Sequence, residues 1–335
     1  MSMRKLLSFF LVGCLLLVLA ACQKDNEKEN VKEEKPVTEE SAKADEAGKE
    51  EATGDGTRVI THLGEEYTVP EKVEKIVIVG AIEAMEDSML LGVKPIGANT
   101  TGGEFPKIFS TLFSDTTPIG EKTQPNLEAI LQLKPDVILV STKFPEETKE
   151  KLQKLAPMIP ISHISEHGVD NLMVLAELTG KQDVAKEAIQ AYEKHVAEAK
   201  EKISDAIESE KILAIRIRSG NLFIYPDNVF LNTVFYHDLG FTAPEEVKAA
   251  PAQEMIPLEK ITEMNPDRIF VQFEESSNVD EGNALEDLQN NPIWQSLRAV
   301  KEDKVYVNAI DPILEGGPLY SREALLKAVI EKFAK

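Results

Sequence analysis

The chain has 335 residues, room for about two domains at roughly 100–200 residues each, and carries 37 Lys+Arg against 58 Asp+Glu for a net charge of −21. That balance excludes general nucleic-acid binding, which needs a basic face against the phosphates, and makes an anionic small ligand an awkward partner unless cations gather at one point. With Cys14 and Cys22 as the only cysteines, a disulfide framework, a cysteine-ligated zinc site and a cysteine nucleophile are all excluded from the folded part.

Residues 1–21 read as a signal peptide: Arg4 and Lys5, an apolar run from Leu6 to Leu19, then small residues. The ending Leu19-Ala20-Ala21-Cys22 resembles a bacterial lipobox, in which the cysteine receives a diacylglycerol. Residues 22–57 then read as the lipidated cysteine and an acidic tether. Within it, residues 23–56 hold six Lys against twelve Asp+Glu and no aromatic residue, a composition that cannot bury enough apolar surface to offset chain entropy and so predicts disorder. Residues 57–335 keep a net charge of −17.

Residues 58–180 read as a first α/β lobe. Val73–Gly80 predicts a buried strand and Ala84–Leu91 the helix after it. Pro95–Ala98 and Pro118–Gly120 follow, then helix Asn126–Leu133, strand Val137–Ser141, helix Glu146–Leu155 and strand Ile159–Ile164. Residues 181–210 predict one inter-lobe helix, with Val184, Ala188, Ala191 or Tyr192, Val196, Ala199 and Ile203 at helical spacing. Its uninterrupted stretch, Asp183–Glu208, would be about 39 Å long at 1.5 Å per residue. Residues 211–335 repeat the alternation: strand Lys211–Ile215, strand Leu222–Tyr225, helix Val229–Asp238, helix Leu258–Met264, strand Arg268–Phe273, strand Val305–Asn308 and helix Arg322–Phe333. The fold class is α/β, two Rossmann-like lobes joined by one long helix.

The two lobes share an internal match. Leu127-Glu128-Ala129-Ile130 through Pro135-Asp136-Val137-Ile138 aligns without gaps to Leu258-Glu259-Lys260-Ile261 through Pro266-Asp267-Arg268-Ile269, 131 residues on. Helix, Pro-Asp turn and strand is a common connection, but as a repeat it says that the lobes are built alike.

Ligands of open α/β sheets bind beyond the carboxyl ends of the strands, and cations collect there. Lys122 follows Pro118-Ile119-Gly120, and Lys143 follows the strand Val137–Ser141 by two residues; each alone is equally well read as a solvated loop lysine. Arg216 and Arg218 alternate with Ile215 and Ile217, so both guanidinium groups leave one strand face. They repel each other unless something anionic lies against them, whether a ligand or carboxylates of this acidic chain. Gln253, in the loop before the repeat helix, could donate a hydrogen bond. The five histidines show no zinc-type spacing, and no tyrosine pair or carboxylate cluster suggests direct ferric ligation, so iron as cargo would have to arrive inside a chelator. No nucleophile elbow, zincin, Walker or dinucleotide motif is present, and nothing favours an enzyme.

The lipobox, the two lobes around one helix, and Asn291-Pro292-Ile293-Trp294 leading to Val305-Tyr306-Val307 resemble the class III, iron-siderophore-type substrate-binding lipoproteins of ABC importers. Ser141-Thr142-Lys143-Phe144-Pro145-Glu146, Arg216-Ile217-Arg218 and Glu246-Val247-Lys248-Ala249-Ala250 are similar to the ferric-catecholate, bacillibactin-binding branch of bacilli. The resemblance implies a class III periplasmic-binding-protein fold and a basic triad at Lys122, Lys143 and Arg218 that holds a ferric triscatecholate, with Arg216 and Gln253 contributing. It implies no cofactor, since iron is bound only through the siderophore. It also implies permease docking through Glu128 and Glu259, lipidation at Cys22, a monomer, and anchoring on the extracellular face of the cell membrane. One departure is Pro251, where the resemblance implies a further lysine. A carrier of ferric hydroxamate, haem or cobalamin is the alternative on the same fold; a lipoprotein enzyme or adhesin is the alternative from another class.

Overall fold

The computed structural model describes residues 52–53 and 56–333; the predicted signal peptide, Cys22 and the acidic stretch as far as residue 51 lie outside them. The described chain begins with a small antiparallel sheet of β1 (Ala52–Thr53), β2 (Thr57–His62) and β3 (Glu65–Pro70). This sheet was not expected, and β1 and the start of β2 fall inside the segment read as tether. The period-2 signal is hidden because β2 points Arg58, Ile60 and His62 inward, two of them polar. The Arg58 guanidinium donates to the Glu177 carbonyl (2.9 Å) and lies 3.7 Å from the Glu177 carboxylate.

The first lobe runs β4 (Ile76–Val79), α1 (Ile82–Leu91), β5 (Gly97–Thr100), β6 (Thr117–Glu121), β7 (Gln124–Pro125), α2 (Leu127–Leu133), β8 (Val137–Ser141), α3 (Glu146–Gln153), β9 (Met158–Ile161) and α4 (Gly168–Thr179). Its sheet has the order β7-β6-β5-β4-β8-β9, with β5, β4, β8 and β9 parallel. Central parallel strands are covered on both faces, so they read as continuous apolar runs. Ile76, Ile78, Val137 and Leu139 enter the main core, while Val77, Val79, Ile138 and Val140 face a second cluster with Ile119, Ile130 and Leu152.

The predicted inter-lobe helix is two helices, α5 (Gln182–Lys202) and α6 (Ser204–Ser209). Ile203 leaves the helical region at φ −120°, ψ 23° and turns its side chain into the core, so the continuous helix is about 32 Å long at 1.5 Å per residue rather than 39 Å.

The second lobe contains β10 (Ile212–Arg218), β11 (Asn221–Ile224), α7 (Glu245–Ala249), β12 (Glu254–Met255), α8 (Leu258–Met264) and β13 (Arg268–Phe273). It continues through α9 (Ala284–Asn290), α10 (Pro292–Ser296), α11 (Arg298–Lys301), β14 (Val305–Val307) and α12 (Leu319–Phe333). The sheet order is β12-β11-β10-β13-β14, parallel through β10, β13 and β14 and antiparallel at the β11 and β12 edge. Where an α-helix was expected over Val229–Asp238, the chain forms a π-helix at Thr233–Asp238. The last helix starts three residues before its predicted Arg322 because Pro318 opens it, its carbonyl accepting from the Arg322 amide and the Ser321 hydroxyl. α12 packs on α5 and α1, joining the helical layers of both lobes.

The internal match is structural down to single hydrogen bonds. α2 and α8 are seven residues each and end on left-handed residues of nearly equal geometry, Lys134 (φ 49°, ψ 62°) and Asn265 (φ 47°, ψ 63°). In each Pro-Asp turn the aspartate accepts from the strand opposite: Asp136 Oδ2 from the Lys75 amide at 2.8 Å, Asp267 Oδ2 from the Lys211 amide at 2.7 Å. The fold is mixed α/β, with the equivalent strands β8 and β13 each one strand in from the edge of its sheet.

Candidate functional site

One cavity of about 790 Å³ receives side chains that follow β6 and β8 in one lobe and lie on or after β10 and β11 in the other. Lys122, Lys143, Arg216, Arg218 and Gln253 all line it, so the structure brings together the five ligand-site residues expected from sequence. Pro251, at the position where a lysine was implied, lines it too. Glu128 and Glu259 do not; they are exposed in the first turns of α2 and α8.

Lys122 is placed by the tight β6–β7 hairpin. Gly120 sits there at φ +92°, and a Cβ would come within 2.6 Å of the Gln124 carbonyl, so the turn needs glycine. The Lys122 amide donates to the Thr100 carbonyl (3.0 Å) and extends the pairing to β5. Lys143 is placed by the turn after β8, where its amide donates to Ser141 Oγ (3.3 Å) and the neighbouring Phe144 ring fills the space over Gly80.

These two lysines are not free. Lys122 Nζ lies 3.0 Å from Glu315 Oε1, and Lys143 Nζ lies 3.7 Å from both Glu315 Oε2 and Glu83 Oε1. Burial works against the Lys143 ammonium, but the Glu315 and Glu83 carboxylates outweigh it and hold its pKa above the ordinary value. Glu315 shows the converse: burial would raise its pKa, yet Lys122, Lys143 and Arg216 together hold it far below the usual carboxylate range. Behind them, α1 buries Glu83, Glu86 and Asp87. Burial pushes all three carboxyls upward, Glu86 and Asp87 well above their ordinary values.

The opposite wall is built differently. β10 presents Arg216 half-buried and Arg218 exposed on one face, as the alternation required. Arg216 lies 5.6 Å from the centre of the Phe230 ring, and its buried Nε has no hydrogen-bond partner among the described residues. Arg218 Nη1 donates to Gln253 Oε1 (2.7 Å), which also accepts from the Tyr225 hydroxyl (2.8 Å). Gln253 therefore fixes two cavity side chains through its amide oxygen. His163 completes the first wall. Its Nδ1 lies 2.8 Å from Thr142 Oγ1, and burial followed by the Lys143 charge lowers its pKa, favouring the neutral ring.

Tyr225, Phe230, His163 and Glu315 are cavity residues that the sequence did not single out. Tyr225 follows β11, which runs antiparallel to β10, so the strand-end rule that found Lys143 does not reach it. Glu315, in the irregular segment between β14 and α12, carries no such signal. Among the described residues no group of three or more His, Cys, Asp or Glu is arranged to hold a metal ion, and no helix is long and apolar enough to cross a membrane.

Residues 92–309 match the periplasmic binding protein family. The chain is 46% identical over 333 residues, 99% of its length and the whole of the relative, to the iron-uptake system-binding protein of Bacillus subtilis (strain 168). It is 27% identical over 267 residues, 76% of this chain and 81% of the relative, to the probable siderophore-binding lipoprotein YfiY of the same organism. Among solved structures it resembles the triscatecholate siderophore binding protein FeuA from Bacillus subtilis, complexed with ferri-bacillibactin. The TM-score is 0.80 at 51% identity, covering 82% of this chain and 98% of that one.

Proposed function

The chain belongs to the periplasmic binding protein family and is a substrate-binding protein, and on that premise we propose that its substrate is a ferric catecholate siderophore of the bacillibactin type, delivered to an ABC permease. The observation that carries this reading is the convergence of Lys122, Lys143, Arg216 and Arg218 on one cavity of a protein whose net charge is −21. Three catecholates supply six oxygens to Fe(III) and leave a charge of −3, so such a ligand needs cations from its carrier and no protein ligand to the metal. Ammonium and guanidinium groups suit it twice, as charge-assisted donors to catecholate oxygens and as cations over aromatic faces, each contact worth about 0.5–2 kcal/mol. The relative of known structure that this chain resembles was crystallised with such a complex.

The likeness to siderophore-binding lipoproteins supports a membrane-anchored protein on the extracellular face, with Cys22 as the lipidated residue. Glu128 and Glu259, exposed at equivalent points of the two repeated helices, suit docking on a basic surface of the permease.

Titration of intrinsic fluorescence tests the substrate. Tyr225 in the cavity and the tryptophan Trp294 should be quenched saturably by ferric bacillibactin and not by ferrichrome, whose ferric hydroxamate centre is neutral. Equal binding of both complexes, or unchanged binding by the Lys122→Ala/Lys143→Ala/Arg218→Ala variant, contradicts the assignment.

A further inference from the structure

An acidic side chain inside a cavity built to receive an anion is a cost unless it has a task. Glu315 is such a side chain: only 15% exposed, in contact with both lysines, and facing the half-buried Arg216. It is also unable to withdraw. Its amide donates to Glu86 Oε1 on α1 (2.8 Å), and the Pro312 and Leu314 carbonyls just before it accept from Gln272 Nε2 of β13 (2.7 and 3.1 Å). Gly316, at φ +76°, lies so close to Phe230 and Leu231 that a Cβ would come within 2.9 Å of their backbone. Gly317 is held against Ser165, and Arg322 ties the Gly317 and Ser165 carbonyls together. The backbone that carries the carboxylate into the cavity is thus fixed by elements of both lobes.

Any anion that enters competes with Glu315 for Lys122 and Lys143 and is repelled by it. A small polycarboxylate or phosphate that reaches only the lysine wall gains little from ammonium groups already neutralised. A complex large enough to span 790 Å³ also reaches Arg216 and Arg218, neither of which is ion-paired to a carboxylate among the described residues, Arg216 sensing Glu315 only at longer range. We infer that Glu315 is a specificity-determining residue, an internal counter-anion that closes the cavity to small carboxylate and phosphate anions and leaves it open to a large polyanionic complex. Specificity is here a repulsive element set against the wrong ligand. The inference deepens the proposed ferric-catecholate reading and rests on it for the identity of the favoured ligand.

The test compares citrate and ferric bacillibactin on the same proteins by calorimetric titration. Glu315→Gln, close in shape and without the charge, should gain about tenfold or more in citrate affinity, while ferric bacillibactin changes by about threefold or less, narrowing the ratio between them. Glu315→Ala should narrow it as well, and serves if the glutamine variant does not fold. Glu315→Asp, which restores the charge, should recover most of the wild-type discrimination. A ratio unchanged in both neutral variants overturns the inference, as does an aspartate variant that behaves like the neutral ones. If wild-type protein fails to bind ferric bacillibactin, the substrate assignment falls. The gain or absence of gain in citrate binding on removing the Glu315 charge then still decides the acid's role.

Discussion

The two walls of the cavity carry equal numbers of cations and treat them in opposite ways. The first lobe offers lysines, each in contact with a buried or nearly buried carboxylate. The second offers arginines on one strand face, held by an amide oxygen and an aromatic ring. Positive charge on the lysine wall is compensated by ion pairs before a ligand arrives, which stabilises the empty protein; on the arginine wall Arg216 senses Glu315 only at longer range, and most of the charge is left for the ligand. The lysine wall therefore serves folding as well as binding and the arginine wall chiefly binding, and substitutions should separate them.

The largest effect should come from the arginine wall. Arg216→Ala/Arg218→Ala removes two charge-assisted donors that no ion pair occupies among the described residues, each worth about 1.5–3 kcal/mol, and should weaken ferric bacillibactin by about a hundredfold or more, measured by fluorescence titration. Its thermal midpoint should stay near wild type. Lys122→Ala should behave the other way, losing about 1–3 kcal/mol of stability in urea unfolding because the Glu315 carboxylate is left with one ion pair fewer. A lysine variant as stable as the arginine double variant would erase the distinction.

A smaller, pH-dependent difference should sharpen it. Glu315, held below its ordinary value of 4.5 by the lysines and Arg216, contributes stability present above about pH 4.5 and lost as pH falls through its folded pKa. Asp87 has the opposite sign. Burial raises it well above 3.8, so stability is complete below that value and is lost as pH rises through the folded pKa. Asp87→Asn should raise the thermal midpoint near neutral pH and have little effect near pH 3.5, whereas Glu315→Gln should lower it near neutral pH, with the deficit fading on acidification. The smallest effect on the cavity is expected outside it: Glu128→Ala/Glu259→Ala should leave siderophore affinity unchanged and reduce uptake by cells carrying the cognate permease.

The central strands β4, β8, β10 and β13 were legible because their apolar runs are continuous, whereas the short polar edge strands β7 and β12 were not, and the cation set was legible because it obeys one rule about strand ends. The repeat was legible because a helix, a left-handed cap and a Pro-Asp turn leave a fixed spacing. What was hidden is polar and buried. β2 turns Arg58 and His62 inward, so no alternation shows. Glu83, Glu86 and Asp87 lie on a helix buried by neighbours distant in the chain, and a helix pattern alone would turn such acids outward. Glu315 meets Lys122 across 193 residues from a segment without periodicity. The sequence raised the puzzle of an acidic chain with an anionic ligand, and the structure adds that one acid sits inside the basic cavity itself.

The central claim is that cations of both lobes hold one ferric triscatecholate. A crystal structure of the protein with ferric bacillibactin tests it most directly. The account predicts the complex within the 790 Å³ cavity, in contact with Lys122 and Lys143 on one side and Arg216 and Arg218 on the other, with Glu315 still in place beside the lysines. A complex bound outside this cavity, or touching the cations of one lobe only, would contradict it.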